Sequence, residues 1–580
     1  MSAGVSPTPL ITNIAGRGGV SLDGTWRFVL DPYESGYVDI FGRPNRHGWH
    51  LDATPQSSHD RVEYAFETSA RIQVPGDWNS QAPEYLYYEG AAWYRRTFDW
   101  NPREGRRTFV HFGAASQRAR VWCNGVGPVE HDGGFGPFCV ELTSAVRSGT
   151  NSLVVMVDNT RRPDAIPTMD TDWWNYGGLH RSVTLLDLAS TFIRDAWLQL
   201  DSDGSAIIGE IVLEGPESAN RTVTVRLPEL GVGSRLITDE FGQAAVRFAA
   251  DPERWHPGHP RLYRVEWQLG DETLVDEIGF RTVAVDGHHI VVNGEPTHLS
   301  GIALHAEAPT EARRAHGAAD ASTLLDWVED LGANFVRLAH YQHDEAMVRE
   351  CDRRGVLAWC ELPVYWSIAF DNDSTYDNAE EQLEELIVRD RSRASVILWS
   401  VANETMPGEA RNHFLEGLID AARRLDPTRL VTAALFTMPN REHHYVLDDP
   451  LSHHVDVIGI NSYIGWYYGD RKTFRTASWE NPNGKPAIFT EFGAGARQGH
   501  RGTKDDIWTE EFQVDVLEGN FEMLSRLDWV AGTSPWILKD FRSPKRVLPG
   551  IQDGFNRKGL VSDRGVRKAS FETVRAHYRR

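Results

Sequence analysis

VILWSVANETMPGEARNHFLEGLIDAARRLDPTRLVTAALF, residues 396–436, reads as strand, helix, strand. VILWSVANE is an apolar strand-like run, ARNHFLEGLIDAARRLD carries a helical period, and LVTAALF is apolar and strand-like again. The same alternation extends upstream. HLSGIALH precedes ASTLLDWVEDLG, ANFVRLAHY precedes HDEAMVRECDRRG, and VLAWCELP precedes AEEQLEELIVRDRSRAS. Downstream, VDVIGINSY, PAIFTEFG and VAGTSPWILKDF bring the strands to eight. Eight strand–helix units over residues 284–580 meet the requirement of a (β/α)8 TIM barrel. A doubly wound open sheet is the rival fold, but no Gly-rich nucleotide loop follows the first strand.

Ahead of VDGHHIVVNGEP the texture is β throughout. In residues 1–186 short alternating runs recur between turn residues: GTWRFVL, WYRRTFDW, RTFVHFG, ARVWCNG, NSLVVMVD and HRSVTLLD. They predict a β-sandwich. Residues 187–283 hold roughly seven short strands, as an immunoglobulin-like sandwich requires.

The composition limits the function. The formal charge of −22 over 580 residues argues against nucleic acid or an anionic membrane as partner. Long-range attraction of an anionic substrate is disfavoured too, although screening over about 10 Å lets a local cation dominate a site. Twenty Trp fit an aromatic-rich sugar cleft, and equally the cores of large β-domains. Cys123, Cys139, Cys351 and Cys360 are too few for a disulfide framework and lack metal-site spacing. The N-terminal residues show no basic start followed by an apolar stretch, and no run of about 18 apolar residues suggests a membrane span. A cytoplasmic enzyme is expected.

In such barrels chemistry sits at the C-terminal ends of the strands. The fourth strand ends WSVANE, at Glu404, and the seventh ends FTEFG, at Glu491. Either alone reads equally as a satisfied structural carboxylate, because a buried Glu is costly unless paired or used. Two at one barrel mouth suit glycoside hydrolysis, with one protonating the leaving oxygen and the other attacking the anomeric carbon. A retaining enzyme needs them about 5–5.5 Å apart.

With a jelly roll, an immunoglobulin-like domain and a barrel carrying WSVANE and TEFGAG, the chain resembles glycoside hydrolase family 2 over essentially its whole length. The family includes β-glucuronidases, β-galactosidases and β-mannosidases. The resemblance implies Glu404 as acid/base and Glu491 as nucleophile. It implies Asn403 as the partner of the sugar 2-OH and Tyr463, in NSYIGWYY, as the phenol that holds the nucleophile. Arg337, in FVRLAHY, fits a cation beside that nucleophile. Trp536 fits an aromatic floor, and His305, His340 and Tyr467 fit the site lining. Asp172, in MDTDWWNYGGLHRSV, resembles a jelly-roll residue that reaches the barrel mouth and accepts bonds from distant sugar hydroxyls. Tyr463 and Trp536 read otherwise as core aromatics, and Asp172 as a loop cap.

GFNRKG, after the eighth strand, resembles the Asn-x-Lys signature of the family's β-glucuronidases. Asn556 and Lys558 are then expected to hold a C6 carboxylate. Standing alone, the tripeptide reads as a solvated basic loop. Some bacterial members carry an Arg four residues before the Asn, where this chain has Gln552; Lys545 and Arg546, in FRSPKRVLPG, are the nearby cations. The implied activity is retaining, exo-acting hydrolysis of β-glucuronides, with β-galacturonidase, β-galactosidase and a non-catalytic carbohydrate-binding protein as alternatives. A carbohydrate partner, no cofactor and a homo-oligomer are expected.

Overall fold

The computed structural model describes residues 5–60, 62–437, 439–441 and 443–579. The first four residues of the expected sandwich and the last of the expected barrel therefore lie outside the described residues. Eight parallel strands close a barrel: β1 Leu299–Leu304, β2 Phe335–Leu338, β3 Leu357–Glu361, β4 Val396–Asn403, β5 Leu430–Leu435, β6 Val457–Asn461, β7 Ala487–Glu491 and β8 Val530–Thr533. Every residue of β4 is buried, because one face fills the barrel and the other lies under helices. That is why these strands read as continuous apolar runs rather than alternating ones.

The helix between β4 and β5, Glu409–Leu425, buries Phe414, Leu415, Leu418, Ile419 and Ala422 along one face. Arg423 and Arg424 in its last turn suit the helix dipole, and Pro427 follows just past its end. The expectation of eight strand–helix units needs correction. After β5 the chain forms the short strands Pro439–Arg441 and His444–Val446 and a 3-10 turn, Pro450–His453. After β6 it makes only a four-residue helix, Thr473–Thr476, and the strand Ser478–Glu480. Neither stretch has an apolar 3.6-residue period, and Pro439 and Pro450 break the first.

The N-terminal unit packs a five-stranded sheet against a six-stranded one around Trp26, Phe28, Tyr94, Val110 and Val155. The next is a three-stranded sheet on a four-stranded one, seven strands from Phe192 to Ile278, with Trp267 and Leu198 in its core. Among the described residues no helix is long and apolar enough to cross a membrane.

What positions the site is the jelly-roll segment ahead of the strand Val183–Ala189, which crosses to the barrel mouth. The Trp174 amide donates to the Arg542 carbonyl at 2.9 Å, and Arg181 Nη2 donates to the Gln342 carbonyl at 2.6 Å. A Cβ on Gly177 would stand 2.0 Å from the Trp78 ring, so the segment can lie this close only with glycine there.

Candidate active site

Glu404 directly follows β4 and Glu491 ends β7; both line a cavity of about 200 Å3 at the C-terminal mouth of the barrel. Their bonding differs. Glu491 Oε1 accepts from Arg337 Nη1 at 2.7 Å, and its Oε2 accepts from the Tyr463 hydroxyl at 2.6 Å. Glu404 meets only neutral donors, Asn461 Nδ2 at 3.0 Å and Trp366 Nε1 at 2.8 Å. Burial, and then the nearby Glu491 charge, push the Glu404 carboxyl up to about 7. Glu404 and Trp366 both adopt the left-handed region, φ 51° and 54°, a local cost of order 1 kcal/mol or more that aims the indole at the carboxylate.

Arg337, on β2, is wholly buried beneath this pair. Its guanidinium also donates to both oxygens of Glu361, at 3.1 Å from Nη2, and to Asn403 Oδ1 at 2.7 Å. Burial works against its charge, but Glu361 and Glu491 outweigh that and raise its pKa. Burial likewise works against ionised Glu361, and Arg337 and His340 more than offset it. Glu361, at the end of β3, further accepts from Trp359 and Ser400. It is enclosed and fully bonded, a counter-ion rather than a reacting group.

Asn403 Oδ1 is held by Arg337 and by Asn461 at 3.1 Å, which orients the amide. Its Nδ2 is buried without a partner, a donor left for a ligand. His340 binds Glu361 through Nδ1 at 2.7 Å, turns Nε2 toward Glu491 at 3.7 Å and stacks on Trp536. Both rings line the cavity. His305 does not. It sits behind Trp536 against Phe541, and burial keeps its imidazole well below the usual pKa.

The far wall is built by two domains. Asp172 accepts from Arg546 at both oxygens, 3.0 and 2.5 Å, from Ser543 Oγ at 2.7 Å and from Asn556 Nδ2 at 3.0 Å. Asn556 thus gives one of its two amide N–H donors to Asp172 and stands outside the cavity lining. Lys558 lines the cavity and is 4% exposed. Its Nζ donates to the Tyr467 hydroxyl at 2.7 Å and lies 5.0 Å from the Tyr463 ring centre. Among the described residues it has no carboxylate partner. Gln552 is spent on its own turn, accepting from the Leu548 amide, whereas Arg546 lines the cavity. Lys545 pairs with Asp170 over the Trp366 ring.

Four contributors were not read from the sequence. Glu361 carried the same signal as the other two carboxylates, a Glu ending an apolar strand in LAWCE. Asn461, ending β6, breaks an apolar run as Asn403 does. Trp366 gave no signal, since its role depends on a left-handed backbone. Ser543 gave none either, because its partner is 371 residues away.

Replacing Arg337 by Ala leaves two buried carboxylates without their cation. The expected loss of stability is about 3–5 kcal/mol, measured by urea unfolding. Glu361→Gln in the same chain should recover part of it; a double variant no more stable than Arg337→Ala would contradict the counter-ion role.

The comparisons agree with this architecture. The family model described as "Glycosyl hydrolases family 2, TIM barrel domain" matches residues 283–579, and "Glycosyl hydrolases family 2, sugar binding domain" matches 20–189. A beta-glucuronidase of Paenibacillus borealis is 30% identical, covering 96% of this chain and 96% of its own. Among solved structures, an uncultured Clostridium sp. beta-glucuronidase superposes with TM-score 0.83 at 24% identity, over 99% of this chain and 100% of that one. The Bifidobacterium dentium beta-glucuronidase complexed with coumarin-3-O-glucuronide gives 0.83 at 23% identity, over 99% of each.

Proposed function

Because the chain belongs to glycosyl hydrolase family 2, we propose that it is a retaining, exo-acting β-glucuronidase in which Glu491 is the nucleophile and Glu404 the acid/base. The observation that carries the glucuronide reading is Lys558, a buried ammonium in the wall of the carboxylate cavity that donates to the Tyr467 phenol and, among the described residues, has no carboxylate partner. A desolvated cation without a counter-ion is costly, and the C6 carboxylate of a uronide supplies one. Arg546 adds a second cation to the same lining. The P. borealis relative carries the same activity in its name.

In the first step a Glu491 oxygen bonds to the anomeric carbon as the bond to the leaving oxygen breaks, and the Glu404 proton passes to that oxygen. Arg337 and Tyr463 hold the attacking carboxylate in one orientation. The free Nδ2 of Asn403 donates to the sugar 2-OH. In the second step Glu404, now ionised, takes a proton from water; the water oxygen bonds to the anomeric carbon and Glu491 is released. Asp172, held by Arg546, Ser543 and Asn556, receives hydroxyls at the opposite end of the ring, and Asn556 acts on substrate through it. The division expected from the sequence, 1–186, 187–283 and 284–580, is kept as three units, which the separate sheet systems support, with the first boundary moved to the end of the strand Val183–Ala189 and the second to the start of the strand Val283–Asp286. Four buried, unpaired cysteines fit a reducing, cytoplasmic location, and a homo-oligomer belongs to the same proposal.

The Glu404 carboxyl must be protonated to act, so kcat/KM for a poor leaving group should fall as pH rises through about 7. Glu404→Gln should abolish that limb and spare the glycosylation step of activated aryl glucuronides, with azide speeding turnover. Equal losses on good and poor leaving groups would sink the role.

Proton NMR of the first sugar released from a β-glucuronide should show the β-anomer. An α-anomer appearing first removes the covalent mechanism.

Lys558→Ala should lower kcat/KM for an aryl β-glucuronide by roughly two orders of magnitude, the worth of a charge-assisted bond. Activity on the matching glucoside or galactoside should change little. Equal loss on both would make Lys558 a support for its loop and leave β-galactosidase the better reading.

A further inference from the structure

Behind the wall that carries Asp172 lies a second cavity, of about 430 Å3, between the jelly roll and the loop after β8. The partition is a two-stranded ribbon, Phe541–Arg542 paired with Phe555–Asn556. Side chains alternate across it. Ser543 and Asn556 turn to Asp172, while Arg542 lines the second cavity. The Arg542 guanidinium is 5.4 Å from the Trp174 ring centre and 4.8 Å from that of Phe555. Its Nε is buried without a hydrogen-bond partner, and among the described residues Arg542 forms no ion pair. The contrast with Arg557 is sharp: it lies over the same Phe555 ring and binds both Asp540 and Asp563.

We infer that this cavity is a second carbohydrate site, which takes the carboxylate of a hexuronate on Arg542. A guanidinium fixed between two rings presents a planar fork that matches a carboxylate. Tyr87, 80% exposed and edge-on to Trp174 at 5.5 Å, offers a ring face to the C–H side of a pyranose. Glu89, Arg161 and Asp553 stand in the same lining, and Glu89 accepts from Arg161 Nε at 3.0 Å. With that pair neutralised, Arg542 and Asp553 are the charges left, which suits a monoanion over a dianion such as phosphate, and the carboxylate oxygens accept hydroxyl donors. The ligand is therefore a monoanion rich in hydroxyls. The choice of a uronate rests on the uronide reading of the catalytic cavity; the need for an anion rests on Arg542. The same chemistry is supplied by free hexuronate, the product of hydrolysis, or by a uronate residue within an acidic oligosaccharide.

Titration calorimetry of the intact enzyme with D-glucuronate, with D-glucose and with a uronate-containing disaccharide tests this. Glucuronate should fill two sites in the unaltered enzyme and one in Lys558→Ala, and glucose should not fill the second. Arg542→Met keeps the aliphatic packing and should weaken the remaining site at least ~10-fold while aryl glucuronide hydrolysis is unchanged. Tyr87→Ala, at an exposed position that cannot unfold the core, should weaken the same site. A response to free glucuronate identifies the product as ligand, and a response to the disaccharide alone identifies a chain. One glucuronate site in the unaltered enzyme, or a second site indifferent to both substitutions, overturns the inference. Failure of the uronide reading looks different: no glucuronide is hydrolysed, yet Arg542-dependent binding of an anion persists.

Discussion

A single guanidinium with no access to water organises the catalytic end of the barrel. Arg337 leaves β2 at the centre of the mouth and is bonded to residues of β3, β4 and β7: Glu361, Asn403 and Glu491. A buried cation needs counter-charges in good geometry, so each partner has one permitted orientation. The consequence is an asymmetry between two chemically identical side chains. Glu491 is clamped by a cation and a phenol. Glu404 faces an indole and an amide, with Glu491 as its charged neighbour, and its proton affinity rises. Two carboxylates set apart by their surroundings is how one fold obtains an acid and a nucleophile from the same residue type.

A second organising contact crosses domains. Asp172 comes from the jelly roll, yet its donors, Arg546, Ser543 and Asn556, all come from the chain after β8. The cavity has no complete wall without both partners. Lys558 stands two residues beyond Asn556, in the turn that follows the strand Phe555–Asn556, so the same ribbon that fixes Asp172 also sets the position of the unpaired ammonium.

Much of this was legible in the sequence because periodicity and strand ends are local properties. All eight barrel strands were marked by apolar runs, and Glu404 and Glu491 by carboxylates at the C-terminal ends of two of them, whereas Asn403 and Tyr463 were read from the resemblance to family motifs. The shortening of the helices after β5 and β6 went unread because eight strands invite eight full helices, although FTMPNREHHYVLDD offers no helical face. Asn556 was read as a ligand contact because the order Asn-x-Lys is visible while its hydrogen bond to Asp172 is not. Arg546 was noticed as a nearby charge only. Whether a cation faces solvent, a carboxylate or a cavity depends on contacts hundreds of residues apart, and spacing along one chain carries no trace of them.

The pairing of Asp172 with Arg546 spans 374 positions. During synthesis the jelly roll leaves the ribosome and folds long before the residues that complete its protruding segment exist. The catalytic pocket therefore closes only when all but the last few dozen residues have been translated. A chain that stops before Ser543 and Arg546 lacks the donors that hold Asp172, and so one wall of the pocket, however well its early domains fold.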